Sequence, residues 1–371
     1  MSKKFLRTLR LFISPFYKAI IVDPNEVYFT PGFRSAFSFS LRDDKETNIL
    51  SKLINLLQTP HTFDEICKKL NIPPTRELEL ERVLQALYER GVLSSVEENP
   101  FFMYYKIQLK LEESKIRNKR VMVIGAGPLG SRIILSLAKM DLEKLIVLDD
   151  RRIRDPRIEG FLFPYLDHPE KETSYIQLLK SHVTRDLGNN IEYIEYKEGM
   201  LVDEKHLGKV IPEANLVIVA YESYRPYLFH IVNELCVEKK IPVFFVFVEG
   251  NVGVIGPFVI PRETACYSCV EISYDSIWGR STIYRAYREH IKDLEERGEE
   301  IPLSGIPPLY DIVSGIAIDN VVRFIMDATP LLIGRLIFIE HEAFMISVED
   351  ALKNPRCPVC SNISTPRKSY I

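Results

Sequence analysis

The chain lacks an apolar run near the roughly 18 residues that a membrane span needs, so a helical membrane protein is not expected. It also lacks an uninterrupted secretory core at its start, because Arg7 and Arg10 break the apolar stretch and Pro15 and Lys18 end it. There is no charge surplus: the formal net charge is -3, which removes a general electrostatic case for nucleic acid. No internal repeat or low-complexity tract is present, so neither a solenoid nor a disordered polymer is indicated. Cysteine is scarce, six in 371 residues, and four of the six lie in CxxC pairs. That usage fits a reducing cytoplasm better than a disulfide framework. What remains is an ordinary globular composition, 46% hydrophobic and 27% charged, long enough for two or three domains.

The cysteine pairs are the sharpest local signal. Cys266-Tyr-Ser-Cys269 and Cys357-Pro-Val-Cys360 each have the spacing that lets two thiolates grip one metal ion. Two such pairs make a tetrahedral zinc site, and their separation makes the metal a staple on a larger fold. Cys67 and Cys236 sit in apolar helical patterns and read as buried small hydrophobes.

Residues 1–95 read as a first domain. Ala19–Val22, Val27–Thr30 and Phe37–Leu41 form a three-stranded antiparallel pattern around turns at Asp23-Pro24-Asn25 and Pro31-Gly32. Three helices follow. The first carries Ile49, Leu50, Leu53, Ile54 and Leu57. The second opens on the capping box Thr62-Phe63-Asp64-Glu65, and the third starts near Thr75, buries Leu80, Val83, Leu84 and Leu87, and stops at Gly91. This order is winged-helix-like. DNA binding is disfavoured, because the third helix sets Arg76, Arg82 and Arg90 against Glu77, Glu79, Glu81 and Glu89. Lys3, Lys4, Arg7 and Arg10 read as a solvated basic tail. Residues 96–118 read as a linker with an aromatic patch, Phe101-Phe102-Met103-Tyr104-Tyr105.

From residue 119 to 371 the pattern is a doubly wound α/β domain. Short apolar strands are expected at Val121–Gly125, Leu145–Asp149, Ile191–Tyr196, Leu216–Ala220 and Val243–Val248, with a later one at Leu336–Ile339. Gly125-Ala-Gly127-Pro-Leu-Gly130 follows the first strand and opens a helix. Asp149 ends the next strand, about 20 residues on, as a dinucleotide fingerprint requires. Taken alone, this motif also allows a ligand-free crossover or a nicotinamide-dependent oxidoreductase.

The glycine loop, the two CxxC pairs and Gly253 and Gly256 before Cys266 together resemble the ThiF family, the ubiquitin-activating-enzyme-like adenylyltransferases, over roughly residues 115–363. The resemblance implies a Rossmann-like fold and a structural zinc on Cys266, Cys269, Cys357 and Cys360. It also implies a nucleotide pocket at Gly125, Gly127, Gly130, Asp149, Lys171 and Glu222. The phosphate-binding Arg of the family falls here on Glu159 or Gly160, with Arg157 as a displaced substitute, and the magnesium Asp falls on Glu222. An acid where an arginine should meet a triphosphate is repulsive, so ATP is a doubtful cofactor and the domain reads as a degenerate adenylyltransferase.

Small modules of this order fused to a ThiF-like domain resemble the leader-recognition domains of ribosomal peptide pathways. The chain as a whole resembles the ThiF-like partner proteins of YcaO-dependent azole-forming, bacteriocin-type systems. That resemblance implies a leader peptide bound along Phe37, Ser38, Phe39, Ser40 and Leu41 and against Arg76, Glu79, Val83 and Tyr88 of the third helix. It further implies a separate YcaO-type cyclodehydratase as catalytic partner and a homodimer formed through the α/β domain. The charged helix Ile283–Arg297, between the cysteine pairs, occupies the place of the family's crossover loop. The rival reading is an active adenylyltransferase on a peptide or carrier-protein C-terminus.

Overall fold

The computed structural model describes residues 6–99, 103, 105, 113–165, 169–183, 190–197, 201, 203–299 and 301–361. The expected aromatic patch falls largely outside them, as do Lys3 and Lys4. The chain divides into two compact units, Met1–Glu113 and Ser114–Ile371.

In the first unit, β1 (Leu11–Ile13) pairs with β5 (Leu93–Ser95), while β2 (Lys18–Asp23), β3 (Glu26–Thr30) and β4 (Phe39–Arg42) form a separate antiparallel sheet in the order β2-β3-β4. Helices α1 (Ile49–Leu56), α2 (Phe63–Lys69) and α3 (Glu77–Glu89) follow. The expected strands and helices are therefore present, and β4 is a sheet edge. Val27 and Phe29 of β3 meet Leu53, Ile54, Phe63, Ile66 and Leu84 in one buried cluster. The α2 capping box forms: Thr62 Oγ1 accepts from Glu65 N–H, and the Glu65 carboxylate accepts from Thr62 N–H at 2.9 Å. Arg7 is not a solvated tail residue. Its guanidinium donates to Glu81 of α3 at 2.8 Å and lies over the Phe63 ring. Cys67 is only half-buried.

The second unit is built on an eight-stranded sheet. Its parallel part comprises β6 (Arg120–Ile124), β7 (Lys144–Asp149), β8 (Ile191–Glu195), β9 (Leu216–Tyr221) and β10 (Val243–Glu249). Helices α4 (Pro128–Leu137), α5 (Pro156–Leu162), α6 (Tyr175–Val183), α7 (Glu204–Val210) and α8 (Pro226–Lys239) connect these strands. An antiparallel extension follows, with β11 (Val252–Val259), helices α9 (Tyr267–Trp278), α10 (Thr282–Glu296) and α11 (Pro307–Ile325), then β12 (Arg335–Glu340) and β13 (Met345–Asp350). The strand order is β13-β12-β11-β10-β9-β6-β7-β8. All six expected strands are found. The hairpin partners β11 and β13 were not expected as strands.

The order reverses between β6 and β9, so a crevice lies at the carboxyl ends of these two strands. Gly125 turns the chain there at φ +109°, where an added Cβ would stand 2.0 Å from the Ala220 carbonyl oxygen. The central strands are buried on both faces, as the continuous apolar runs predict. Cys236 is fully buried in α8, and burial pushes its thiol pKa up. Among the described residues, no helix is long and apolar enough to cross a membrane.

Candidate functional site

At the switch point the glycine loop, Asp149 and Glu222 come together, whereas Lys171 does not join them, and Arg151 is an addition that sequence reasoning missed. Asp149, at the end of β7, accepts from Ala126 N–H of the glycine loop at 2.5 Å. Glu222, just past β9, accepts from Leu129 N–H in the first turn of α4 at 2.6 Å. Between the two carboxylates lies Arg151. Its Nε and one terminal nitrogen donate to Asp149 at 3.0 and 2.8 Å, and the other terminal nitrogen donates to Glu222 at 2.7 Å. The guanidinium also sits over the rings of Tyr221 and Tyr175, 4.3 and 4.9 Å from their centroids. Burial acts to raise the Asp149 carboxyl, but Arg151 outweighs it and holds the group below its usual range. Burial likewise opposes the Arg151 charge, and Asp149 and Glu222 overcome it.

The other candidates lie elsewhere. Glu159 is buried and accepts from the N–H groups of Arg154 and Asp155 and from the Tyr175 hydroxyl, so it stabilises its own loop. The Arg157 side chain is 88% exposed and pairs with Asp155 at 2.9 Å. Lys171 is exposed in the turn before α6. Gly130 lies in the first turn of α4, against the Gly125 carbonyl. A cavity of about 50 Å³ lies beside Arg151, lined by Asp150, Arg225 and Glu295 among others. Glu295, carried by α10, accepts from Tyr227 N–H in the first turn of α8 at 2.8 Å. These residues as they stand do not fit a bound ATP, since the groups expected to meet its phosphates and ribose are engaged with one another.

The four cysteines are placed to hold a metal such as zinc. Cys266 caps α9 and Cys269 lies in its first turn, while Cys357 and Cys360 lie in the turn beyond β13. All four are buried, with their ligand atoms within 4.8 Å of one another. The Sγ–Sγ distances Cys266–Cys357, Cys266–Cys269 and Cys269–Cys360 are 3.6, 3.9 and 3.3 Å. A tetrahedral zinc with 2.3 Å bonds sets sulfurs about 3.8 Å apart. Asn354 N–H donates to Cys269 Sγ at 3.3 Å, an outer contact of the kind that orients a thiolate. Four protein thiolates would fill the coordination sphere, so a zinc ion held there would be structural.

In the first unit, a cavity of about 240 Å³ opens between the end of β4 and helices α1 and α3. Leu41, Leu50, Leu53, Ile72, Leu80 and Val83 form its apolar wall. Arg76, Lys45 and Glu79 stand at its rim, with Glu79 bound to Lys45 at 2.8 Å and to Arg76 at 3.2 Å. Asp43 N–H donates to Asn25 O at 2.7 Å, on the β3 side. Alternation along the strand then turns Leu41 and Phe39 toward β3 and leaves the backbone groups of Ser40 and Arg42 on the open edge. Ser38 donates its hydroxyl to Thr30 at 2.8 Å, and the Phe37 carbonyl accepts from Tyr17. Tyr88 is buried and donates to Glu98 at 2.5 Å, so it does not line this cavity.

A doubly wound sheet with an antiparallel extension and a four-cysteine cluster able to hold a metal such as zinc defines a Rossmann-like protein. The chain belongs to the ThiF family, whose model matches residues 105–359. Ubiquitin-like modifier-activating enzyme 5 of Drosophila ananassae is 21% identical over 281 residues, 72% of this chain and 67% of that protein. Among solved structures, the microcin C7 biosynthetic enzyme MccB in complex with N-formylated MccA has a TM-score of 0.65 at 19% identity, covering 95% of this chain and 100% of that one. MccB of E. coli has also been solved with ATP. A heterocyclase in complex with substrate and cofactor has a TM-score of 0.60 at 16% identity, covering 95% of this chain and 40% of that one. At these identities the likeness to solved structures is one of fold.

Proposed function

We propose that this chain binds the leader of a ribosomally made precursor peptide along β4 and presents it to a separate YcaO-type azoline-forming cyclodehydratase, which it activates. The observation that carries this reading is the groove of the first unit. It combines an open strand edge, at Ser40 and Arg42, with an apolar wall on α1 and α3. An extended peptide added to that edge gains main-chain hydrogen bonds, and every second side chain faces the wall. The leader recognised would therefore carry apolar residues two apart.

On this reading the first unit is a winged-helix-like recognition module, and the ThiF domain docks the catalytic partner and pairs with a second copy. The company this fold keeps is consistent with the proposal: one neighbour is solved with the peptide MccA, and another is a heterocyclase with its substrate. The test is binding of a fluorescently labelled extended peptide that carries apolar residues at alternate positions. Affinity should fall at least tenfold on Ser40→Pro and on Val83→Glu. It should persist on Val22→Lys, on the opposite sheet edge, where Val22 is also exposed. Full affinity in both groove variants would place the leader elsewhere.

The second reading, an adenylyltransferase on a peptide or carrier-protein C-terminus, is favoured by the activating-enzyme relatives. ATP–pyrophosphate exchange by the purified chain separates the two. Sustained exchange supports adenylation and removes the non-catalytic role.

A further inference from the structure

A nucleotide at a glycine loop offers phosphate oxygens to the first N–H groups of the helix and ribose hydroxyls to the acid ending the next strand. Here the chain itself supplies both halves of that bargain. The Glu222 carboxylate takes the helix N–H at Leu129, and the Arg151 guanidinium takes the strand-end acid Asp149. We infer that Asp149, Arg151 and Glu222 form an internal ligand that stands in the nucleotide's place, so that the glycine loop closes on the chain's own side chains and the α/β domain holds its shape without ATP.

Gly127 carries the argument further. A Cβ at this position would lie 2.5 and 2.8 Å from the two Glu222 carboxylate oxygens and 2.9 Å from a terminal nitrogen of Arg151. Side-chain ends can usually swing away from such a contact. These cannot do so freely, because Glu222 is fully buried, the Arg151 side chain is 12% exposed, and both are held by charged hydrogen bonds. The residue that the motif reserves for close approach of a phosphate is thus needed by the plug. The charges are also largely offset: two carboxylates face one guanidinium and the positive end of α4, which is worth roughly half a charge. Expelling Arg151 to admit a triphosphate would strand two buried acids beside an added polyanion, and no compensating cation is free in the triad. The neighbouring helix start is taken in the same way, since Glu295 of α10 holds the first turn of α8.

The test uses the full chain and no peptide, so it stands apart from the leader-binding proposal. Thermal unfolding is followed with and without millimolar ATP and magnesium. A nucleotide bound with micromolar affinity would raise the midpoint by several degrees, and here no shift is expected. Gly127→Ala should lower the midpoint by several degrees in the absence of any nucleotide. Arg151→Met should lower it further, and adding Glu222→Gln should restore part of that loss by removing one of the stranded charges. A rise in the wild-type midpoint with ATP overturns the inference, as does an unchanged midpoint in Gly127→Ala or strict additivity of the Arg151 and Glu222 changes. If the variants do not fold, the wild-type titration still decides.

Discussion

Removing the metal should cost the second unit a large part of its stability, and the structure sets the scale. The staple joins residues 91 positions apart, Cys266 to Cys357 and Cys269 to Cys360. Cross-linking a loop of that length lowers the entropy of the unfolded chain by an amount worth about 4–5 kcal/mol on the polymer model used for disulfides. The metal–thiolate bonds contribute beyond this, and apparent binding energies of about 10–16 kcal/mol are known for structural zinc sites. For a unit of this size each kcal/mol moves the midpoint by about 2–4 °C. Losing the staple should therefore lower it by at least about 8 °C. The assay is circular-dichroism melting of the purified chain before and after a high-affinity chelator under reducing conditions, with metal content measured by mass spectrometry. Cys357→Ser should reproduce the chelated midpoint. A chain that carries no metal yet melts at the same temperature as the metal-loaded form would falsify the staple.

Three further outcomes can be checked on the same preparation. Glu295 is buried and its carboxyl pKa is pushed up to about 7 from 4.5. A raised acid stabilises the fold fully below pH 4.5 and loses that contribution as pH climbs through 7. Between those values the fold should lose about 3 kcal/mol, and Glu295→Gln should flatten that slope in denaturant titrations; an identical slope counts against the burial argument. Gly253→Ala would bring a Cβ to 2.3 Å from Val313 Cγ2 of α11, so overpacking should destabilise the second unit by about 1–3 kcal/mol in urea unfolding. Ser38→Pro should weaken leader binding less than Ser40→Pro, because Ser40 lies within β4 with its N–H on the open edge, whereas Ser38 precedes the strand.

The elements that sequence exposed are those whose physics is local or periodic. The parallel strands show as buried apolar runs, α2 as its capping box and α1 as its apolar stripe. The cysteine cluster was legible because two pairs of thiols, each separated by two residues, have the spacing of a metal site. The pairing of β1 with β5 was not, since two three-residue strands more than 80 positions apart carry no readable period. The hairpin of β12 with β13 was half-legible. β12 has a buried face, whereas β13 exposes Met345, Ile346 and Val348 and alternates nothing.

The switch point shows a different kind of limit. Four arginines, Arg151, Arg152, Arg154 and Arg157, follow Asp149 within eight positions, and composition alone cannot say which one turns inward. The choice is made by residues remote in sequence. Tyr175 and Tyr221 supply the two rings that flank a guanidinium, and Glu222 supplies its second carboxylate. Arg157, the nearest match to a displaced phosphate ligand, is instead satisfied by Asp155 at the start of its own helix. A glycine motif records that something comes close to the backbone. It does not record what. Phosphate oxygens and a carboxylate on a helix N–H make the same demand on Gly127, so the signature can persist while its ligand changes from a diffusible nucleotide to a side chain of the same chain.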